Sequence, residues 1–273
     1  MSLYKLNDVS FQYHGAKKLA LENINMTIQK NDCIVICGHD DAGKSTMGMI
    51  LKGLMPHINL GTLKGEILFN HQPLSLLSLK EQVLKIGYLF THPNSQMSML
   101  KETVLDEIAF SCENLNFDRE ETLFRVKAMA RLCEITPLLH STLESCSLGM
   151  LQRVALASML VLDPDVIIFD EPRVHLDQAG QQFFIKLCQD LKKQGKTLII
   201  LDHSLVPYHE IADQIVILEA GKIVHNGPVD EMINSHYLLD HHIHHLVNDV
   251  VTTSQGVYTI EEATRILAGR LKL

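Results

Sequence analysis

Residues Gly38 to Thr46, Gly-His-Asp-Asp-Ala-Gly-Lys-Ser-Thr, constrain this chain more than any other stretch. A glycine, four residues, a second glycine, then Lys and Ser form the pattern of a phosphate-binding loop, in which each fixed position has a mechanical task. Small Gly38 and Gly43 let the backbone N–H groups of the loop, through His39, Asp40, Asp41 and Ala42, close around phosphate oxygens. The N-terminus of the following helix adds its partial positive charge. Lys44 is placed to reach the β- and γ-phosphates, the Ser45 hydroxyl to hold Mg²⁺, and Thr46 completes the loop. A nucleotide is therefore the expected ligand.

The flanks support that reading. Cys33-Ile34-Val35-Ile36-Cys37 is a short apolar run suited to a buried parallel strand, and Met47, Ile50, Leu51 and Leu54 recur at helical spacing. Asp40 and Asp41 are unusual company for phosphate: at ~4 Å a carboxylate would repel it by on the order of 4 kcal/mol at intermediate dielectric. Their side chains are expected to point away, or binding is weakened.

At 273 residues, 46% hydrophobic and 21% charged, the chain can bury a sizeable core and leaves room for a main domain with an appendage. No apolar run approaches the ~20 residues of a membrane span. The opening Met1 to Asp8 lacks a signal-peptide pattern, so residence in the cytoplasm is expected. A formal charge of -8 argues against nucleic acid as a partner. The six cysteines have neither zinc-site spacing nor a disulfide framework and read as reduced, buried small hydrophobes.

Leu3 to Tyr13 and Leu21 to Ile28 alternate apolar and polar residues, which predicts two strands of an antiparallel piece ahead of the loop. Lys64 to Asn70 and Ile86 to Phe90 are strand-like, the latter ending in a polar turn that contains Thr91 and Gln96. From Glu102 to Arg131 the pattern is helical, with a break at Asn116 to Asp118. Ser147 is a good N-cap residue for a further helix. Val166 to Phe169, a helix over Gln178 to Lys193 and Thr197 to Leu201 then follow as the alternation of a parallel sheet with crossover helices.

Ligands in such sheets sit at the carboxyl ends of the strands, which puts Gly38, Asp170, Glu171, Asp202 and His203 on one edge. There Asp170 could complete a magnesium shell with Ser45, and Glu171 could orient or deprotonate an attacking water. His203 could contact the γ-phosphate.

In this order the motifs resemble those of the ATP-binding-cassette (ABC) ATPases over about residues 3 to 230. Within that family the chain is similar to the ATPase subunits of energy-coupling-factor importers of vitamins and metal ions. The resemblance carries residue by residue. Tyr13 matches the aromatic residue that stacks on adenine, Gly38 to Thr46 the Walker A loop, and Val166 to Glu171 the Walker B strand with its catalytic glutamate. Asp177 matches the D-loop aspartate and His203 the switch histidine. Pro93-Asn94-Ser95-Gln96 and Thr103 to Phe110 carry the likeness to the coupling-factor branch.

The resemblance implies an α/β fold, a P-loop NTPase of ABC type: a mixed sheet core, an antiparallel β piece and a helical subdomain over about residues 92–162. A C-terminal, mainly helical extension over 231–273 would serve dimerisation. It implies ATP and Mg²⁺ as ligands and a second ABC ATPase subunit as partner. A transmembrane coupling protein and a substrate-binding membrane subunit would complete the assembly at the cytoplasmic face of the cell membrane.

Departures from the family pattern are informative. The signature that acts on a partner's nucleotide is Ser147-Leu148-Gly149-Met150 here, where Leu148 is bulky and Met150 lacks the hydrogen bonds of glutamine. The Q-loop glutamine position after Phe90 is Thr91, and the approach to Asp177 reads Arg173-Val174-His175-Leu176 where small residues are usual. These features suggest one half of an asymmetric pair, in which this chain's Walker site is active and its own signature is weak. Other readings are a hydrolysis-poor regulatory subunit, a soluble cassette ATPase outside transport, and a small-molecule kinase. In the C-terminal stretch, His241 and His245 have the spacing of a shared metal on one helix face, although a solvated polar face, without an acidic or cysteine ligand set, is the better reading.

Overall fold

The computed structural model describes residues 1–55, 61–98, 100–229, 250–253 and 256–259. The core is a six-stranded sheet in the order β10-β9-β3-β8-β7-β6, built from β3 (Cys33–Gly38), β6 (Ile86–Leu89), β7 (Val166–Asp170), β8 (Thr197–Asp202), β9 (Gln214–Glu219) and β10 (Lys222–Pro228). β6, β7, β8, β3 and β9 run parallel, and β10 adds antiparallel at the edge. The five parallel strands read as largely apolar runs because both faces are covered, whereas β10 alternates exposed and half-buried residues. Val35, Phe169 and Ile200 face one core, while Ile36, Ile168 and Leu201 face another.

The second core lies under α1 (Lys44–Lys52) and an antiparallel sheet in the order β2-β1-β4-β5, formed by β1 (Ser2–Tyr13), β2 (Leu21–Gln29), β4 (Gly61–Phe69) and β5 (Gln72–Pro73). The alternation at the start of the chain is thus that of a sheet with one buried face. Helix α2 (Leu79–Lys85), absent from the sequence expectation, leads into β6 behind a capping box in which Ser78 and Glu81 satisfy each other's backbone N–H groups.

The first core joins the sheet to α6 (Gln178–Lys193) and to a helical layer of α3 (Val104–Asn114), α4 (Arg119–Leu132) and α5 (Leu148–Leu160). Each helix of that layer begins at a side-chain cap: Thr103, Asp118 and Ser147 accept from backbone N–H groups of the first turn. The break read at Asn116 is real, since Asn116 takes a left-handed φ of 60° between α3 and α4.

Beyond residue 230 the expectation of a mainly helical extension meets a different element. The residues described there form a hairpin of β11 (Val250–Thr253) and β12 (Gly256–Thr259), paired from Val250 with Thr259 to Thr253 with Gly256. Runs of β-branched residues around Gln255-Gly256 favour a strand pair over a helix. His236, His241, His242, His244 and His245 lie outside the described residues. Among the described residues no helix is long and apolar enough to cross a membrane.

Candidate functional site

The parallel register brings the carboxyl ends of three strands level: Cys37 pairs with Asp202, and Asp170 with Leu201. The loop after β3 enters α1 through Gly43, at φ 103°. A cleft of about 490 Å³ opens over this loop, lined by Tyr13, Asp40, Asp41, Lys44, Thr46 and Glu171, among others.

Lys44 is only 5% exposed, and a buried ammonium needs partners. Its Nζ donates to the carbonyls of Gly38 at 2.9 Å and His39 at 3.0 Å, lies 3.3 Å from His203 Nδ1, and pairs with Glu171 Oε1 at 3.7 Å. His203 Nε2 meets the same Glu171 oxygen at 2.8 Å. The cation on one side and the carboxylate on the other fix the tautomer: Nδ1 accepts from Lys44, and Nε2–H donates to Glu171. Glu171 itself sits at φ 48°, a strained conformation for a residue with a side chain. Its N–H to the Leu201 carbonyl, 2.9 Å, holds it there.

Asp40 Oδ1, Glu171 Oε1 and His203 Nε2 lie within 4.8 Å of one another, a grouping with metal-ligand chemistry. A metal on Nε2 would drive the imidazole proton to Nδ1, against the Lys44 ammonium, so this trio does not suit a cation. Asp40 is 91% exposed, but its Oδ1 stands 3.6 Å from His203 Nε2 and both Asp40 and Asp41 line the cleft, so the two carboxylates are not turned away from it; Asp41 adopts a left-handed φ of 60°.

The Ser45 hydroxyl donates to Asp170 Oδ1 at 3.1 Å. That separation suits adjacent oxygens on Mg²⁺, which lie about 3 Å apart when each bond is 2.0–2.1 Å. The other carboxylate oxygen of Asp170 accepts from the Tyr88 hydroxyl at 2.8 Å, a contact that sequence reasoning missed. Burial pushes the Asp170 carboxyl above its usual range, while Tyr88 and Ser45 pull it back. Tyr88 stays a phenol, because burial and the Asp170 charge both raise it.

The remaining sequence-derived positions scatter. The Tyr13 hydroxyl is 2.8 Å from the Thr46 hydroxyl and its ring stands edge-on to Phe11 at the cleft wall. Thr91 is not part of the cleft lining, and Gln96 points elsewhere: it accepts from Phe90 N–H at 3.2 Å and donates to the Ala155 carbonyl at 2.9 Å, tying β6 to α5. Ser147 caps α5, and Leu148 and Met150 stand 44% and 40% exposed. None of Ser147, Leu148, Gly149 or Met150 lines the chain's own cleft. Asp177 caps α6 by accepting from Gly180 N–H at 2.8 Å.

A phosphate loop between strand and helix, an acid pair at the end of a second strand and a histidine at the end of a third define a P-loop nucleotide-hydrolysing protein. A family model described as ABC transporter matches residues 21–174. A putative ABC transporter ATP-binding protein of Pyrococcus horikoshii is 34% identical over 240 residues, 87% of this chain and 84% of its own length. The structure of cbiO1 from Clostridium perfringens, described as part of the ABC transporter complex cbiONQ, superposes with a TM-score of 0.73 at 27% identity. It covers 85% of this chain and 90% of that one. At 24% identity, the ATP-binding cassette MJ0796, solved as a dimer bound to ADP and Pi, shares the fold with a TM-score of 0.73 over 83% and 99% of the two chains. The chain belongs to the ABC transporter family, as an ATP-binding subunit with ATPase activity.

Proposed function

We propose that this chain is the ATPase subunit of an energy-coupling-factor type importer for a vitamin or metal ion. It would work at the cytoplasmic face of the membrane on a transmembrane coupling protein, beside a second cassette and a substrate-binding membrane subunit. In this reading residues 1–230 are the nucleotide-binding domain, with 92–162 as its helical subdomain, and 231–273 an extension that serves dimerisation. One observation supports the ATPase part of this reading: Lys44, Glu171 and His203 are in mutual contact at the cleft, in a chain whose Leu148 and Met150 present apolar side chains where a signature should offer polar contacts. The likeness to cbiO1 supports the importer branch.

In the mechanism, the backbone N–H groups from His39 to Ala42 and the Lys44 ammonium take the phosphate charge, Lys44 exchanging its carbonyl partners for phosphate oxygens. Tyr13 packs against adenine. Glu171 receives the proton of the attacking water, and His203 steadies the γ-phosphate through Nε2–H. Ser45 and Asp170 would hold Mg²⁺, which neutralises charge developing on the phosphate oxygens. The signature and Asp177 act across the dimer seam, with the partner's signature closing this chain's cleft.

Capture of the tagged chain from detergent-solubilised membranes tests the assembly. Recovery of a multi-spanning protein together with a second cassette is expected, and recovery of the chain alone from the soluble fraction, or with ribosomes, would overturn it.

Tyr88→Phe tests the metal-binding role of Asp170. Tyr88 orients a carboxylate that would ligate the metal, and losing such an outer-shell partner typically costs about 10- to 100-fold in metal affinity, so the Mg²⁺ concentration for half-maximal turnover should rise by about tenfold or more. Metal-free ATP affinity should stay unchanged. A magnesium titration of turnover reads this, and an unchanged midpoint would remove Tyr88 from the site.

A further inference from the structure

We propose that Arg173 is a positioning residue for hydrolysis, holding Asp202, and through it the backbone of His203, in register with Glu171. The proposal deepens the reading of Glu171 and His203 as the hydrolytic pair and rests on it.

The argument begins at Asp202, the last residue of β8 and 6% exposed. A carboxylate at that depth needs its acceptor positions filled and its charge balanced. Oδ1 accepts from the His203 N–H at 2.6 Å and the Ser204 N–H at 3.4 Å. Oδ2 accepts from the Tyr208 hydroxyl and from Arg173 Nε, the latter at 3.3 Å. Asp202 thereby sets the direction in which the chain leaves β8, and with it where the His203 imidazole stands.

Arg173 reaches this carboxylate from the other turn of the site. It lies two residues past Glu171, in a turn where the Glu171 carbonyl accepts from Val174 N–H at 3.3 Å and the Arg173 carbonyl from Leu176 N–H at 3.1 Å. Its side chain is fixed on three sides: Nε to the Tyr208 hydroxyl at 3.1 Å, Nη1 to Gln181 Oε1 at 3.3 Å, and the guanidinium carbon 5.3 Å from the centre of the Tyr208 ring. One residue therefore bridges the turn that carries Glu171 and the turn that carries His203. Those side chains meet at the 2.8 Å contact between Glu171 Oε1 and His203 Nε2. Its positive charge balances the buried carboxylate, and its Nε–H is shared between Asp202 Oδ2 and the Tyr208 hydroxyl.

Without Arg173 the buried carboxylate loses its counter-charge. Asp202 then gains by turning toward water, and the His203 N–H that it holds follows. Displacement of a reacting group by about 1 Å costs up to about 10²-fold in rate without touching ground-state binding.

The test uses the full-length chain, in its assembled complex for kinetics and alone for spectroscopy. Arg173→Ala should lower kcat by about tenfold to hundredfold, leaving KM for ATP within about twofold. Arg173→Lys, which keeps the charge on Asp202, should recover most of kcat. In ¹⁵N imidazole NMR of the nucleotide-free chain, His203 should pass from the Nε2–H tautomer to a mixture in Arg173→Ala, with the Lys variant close to wild type. Wild-type kcat and an unchanged His203 tautomer in Arg173→Ala would overturn the proposal. So would parallel losses of kcat, ATP affinity and melting temperature that Lys does not repair, since those describe a merely structural residue. Gln181→Ala loosens Arg173 without touching Asp202 and covers the case in which Arg173→Ala does not fold; it should give a smaller kcat loss of the same type. If Glu171→Gln kept full turnover, the underlying assignment would fail instead, while the tautomer would still report the coupling.

Discussion

Replacing Glu171 by Gln should lower ATP turnover of the assembled complex by about 10²- to 10⁴-fold, the range that a positioned general base contributes. ATP binding should be equal or tighter. The amide oxygen of Gln can still accept from His203 Nε2–H, so the 2.8 Å contact survives, but the group can no longer take a proton from water. Loss of the negative charge beside Lys44, now 3.7 Å away, removes a competitor for the γ-phosphate. The equivalent substitution in the partner cassette should cost far less, because the partner's nucleotide would face Leu148 and Met150 of this chain. Steady-state turnover of the two singly substituted complexes decides it. Equal losses would overturn the asymmetric pair, and full activity in Glu171→Gln would remove Glu171 from the chemistry.

Residues whose placement depends on chain-local spacing were legible in the sequence. The phosphate loop, the acids at the end of β7 and the histidine after β8 each sit next to an apolar strand that announces where they will emerge, and the parallel register does the rest. Tyr88 and Arg173 were not legible in this way. Tyr88 matters because β6 pairs with β7 in a register that sets its hydroxyl on Asp170, and Arg173 because a turn after β7 folds toward a turn after β8. Neither relation has a signal within a dozen residues of either partner. Helix α2 did carry a local signal, Ser78 followed three residues later by Glu81, which is the sequence form of a capping box. The strand pair β11 and β12 likewise had β-branched residues along both strands.

The departures follow a spatial logic that their sequence positions hide. Leu148 and Met150 lie off the chain's own cleft, at the start of α5, and Val174 is exposed on the turn before α6. Gly149 is close to that turn, since a side chain there would stand 3.6 Å from the His175 carbonyl. The altered signature and the altered approach to Asp177 therefore form one surface. In the proposed pair, changes on it would alter what this chain offers a partner while Lys44, Glu171 and His203 stay in contact, an arrangement that favours asymmetry over general loss of activity.

Gly43→Ala should abolish nucleotide binding at ordinary ATP concentrations, with a loss of affinity of at least about 10²-fold, or about 3 kcal/mol. Two costs combine. Gly43 has φ 103°, where any side chain is strained by about 1–3 kcal/mol. An added Cβ would also stand 2.7 Å from the Ala20 carbonyl oxygen and 2.8 Å from Leu21 Cδ2. Neither neighbour yields easily. Leu21 is fully buried at the start of β2, and Ala20 N–H is held by the Phe11 carbonyl at 2.8 Å. The loop must move instead, and the segment that moves carries the Lys44 ammonium and the first N–H groups of α1. Because the clash lies at the edge of the second core, the fold should survive with a melting temperature lowered by only a few degrees. Gly15→Ala provides the control: Gly15 also has a left-handed φ, 76°, but a Cβ there meets nothing within 4 Å. It should show a backbone cost alone and bind a fluorescent ATP analogue like the wild type. If Gly43→Ala bound the analogue equally well, the loop would be tolerating a side chain where it is expected to need none, and the phosphate cradle would have to lie elsewhere.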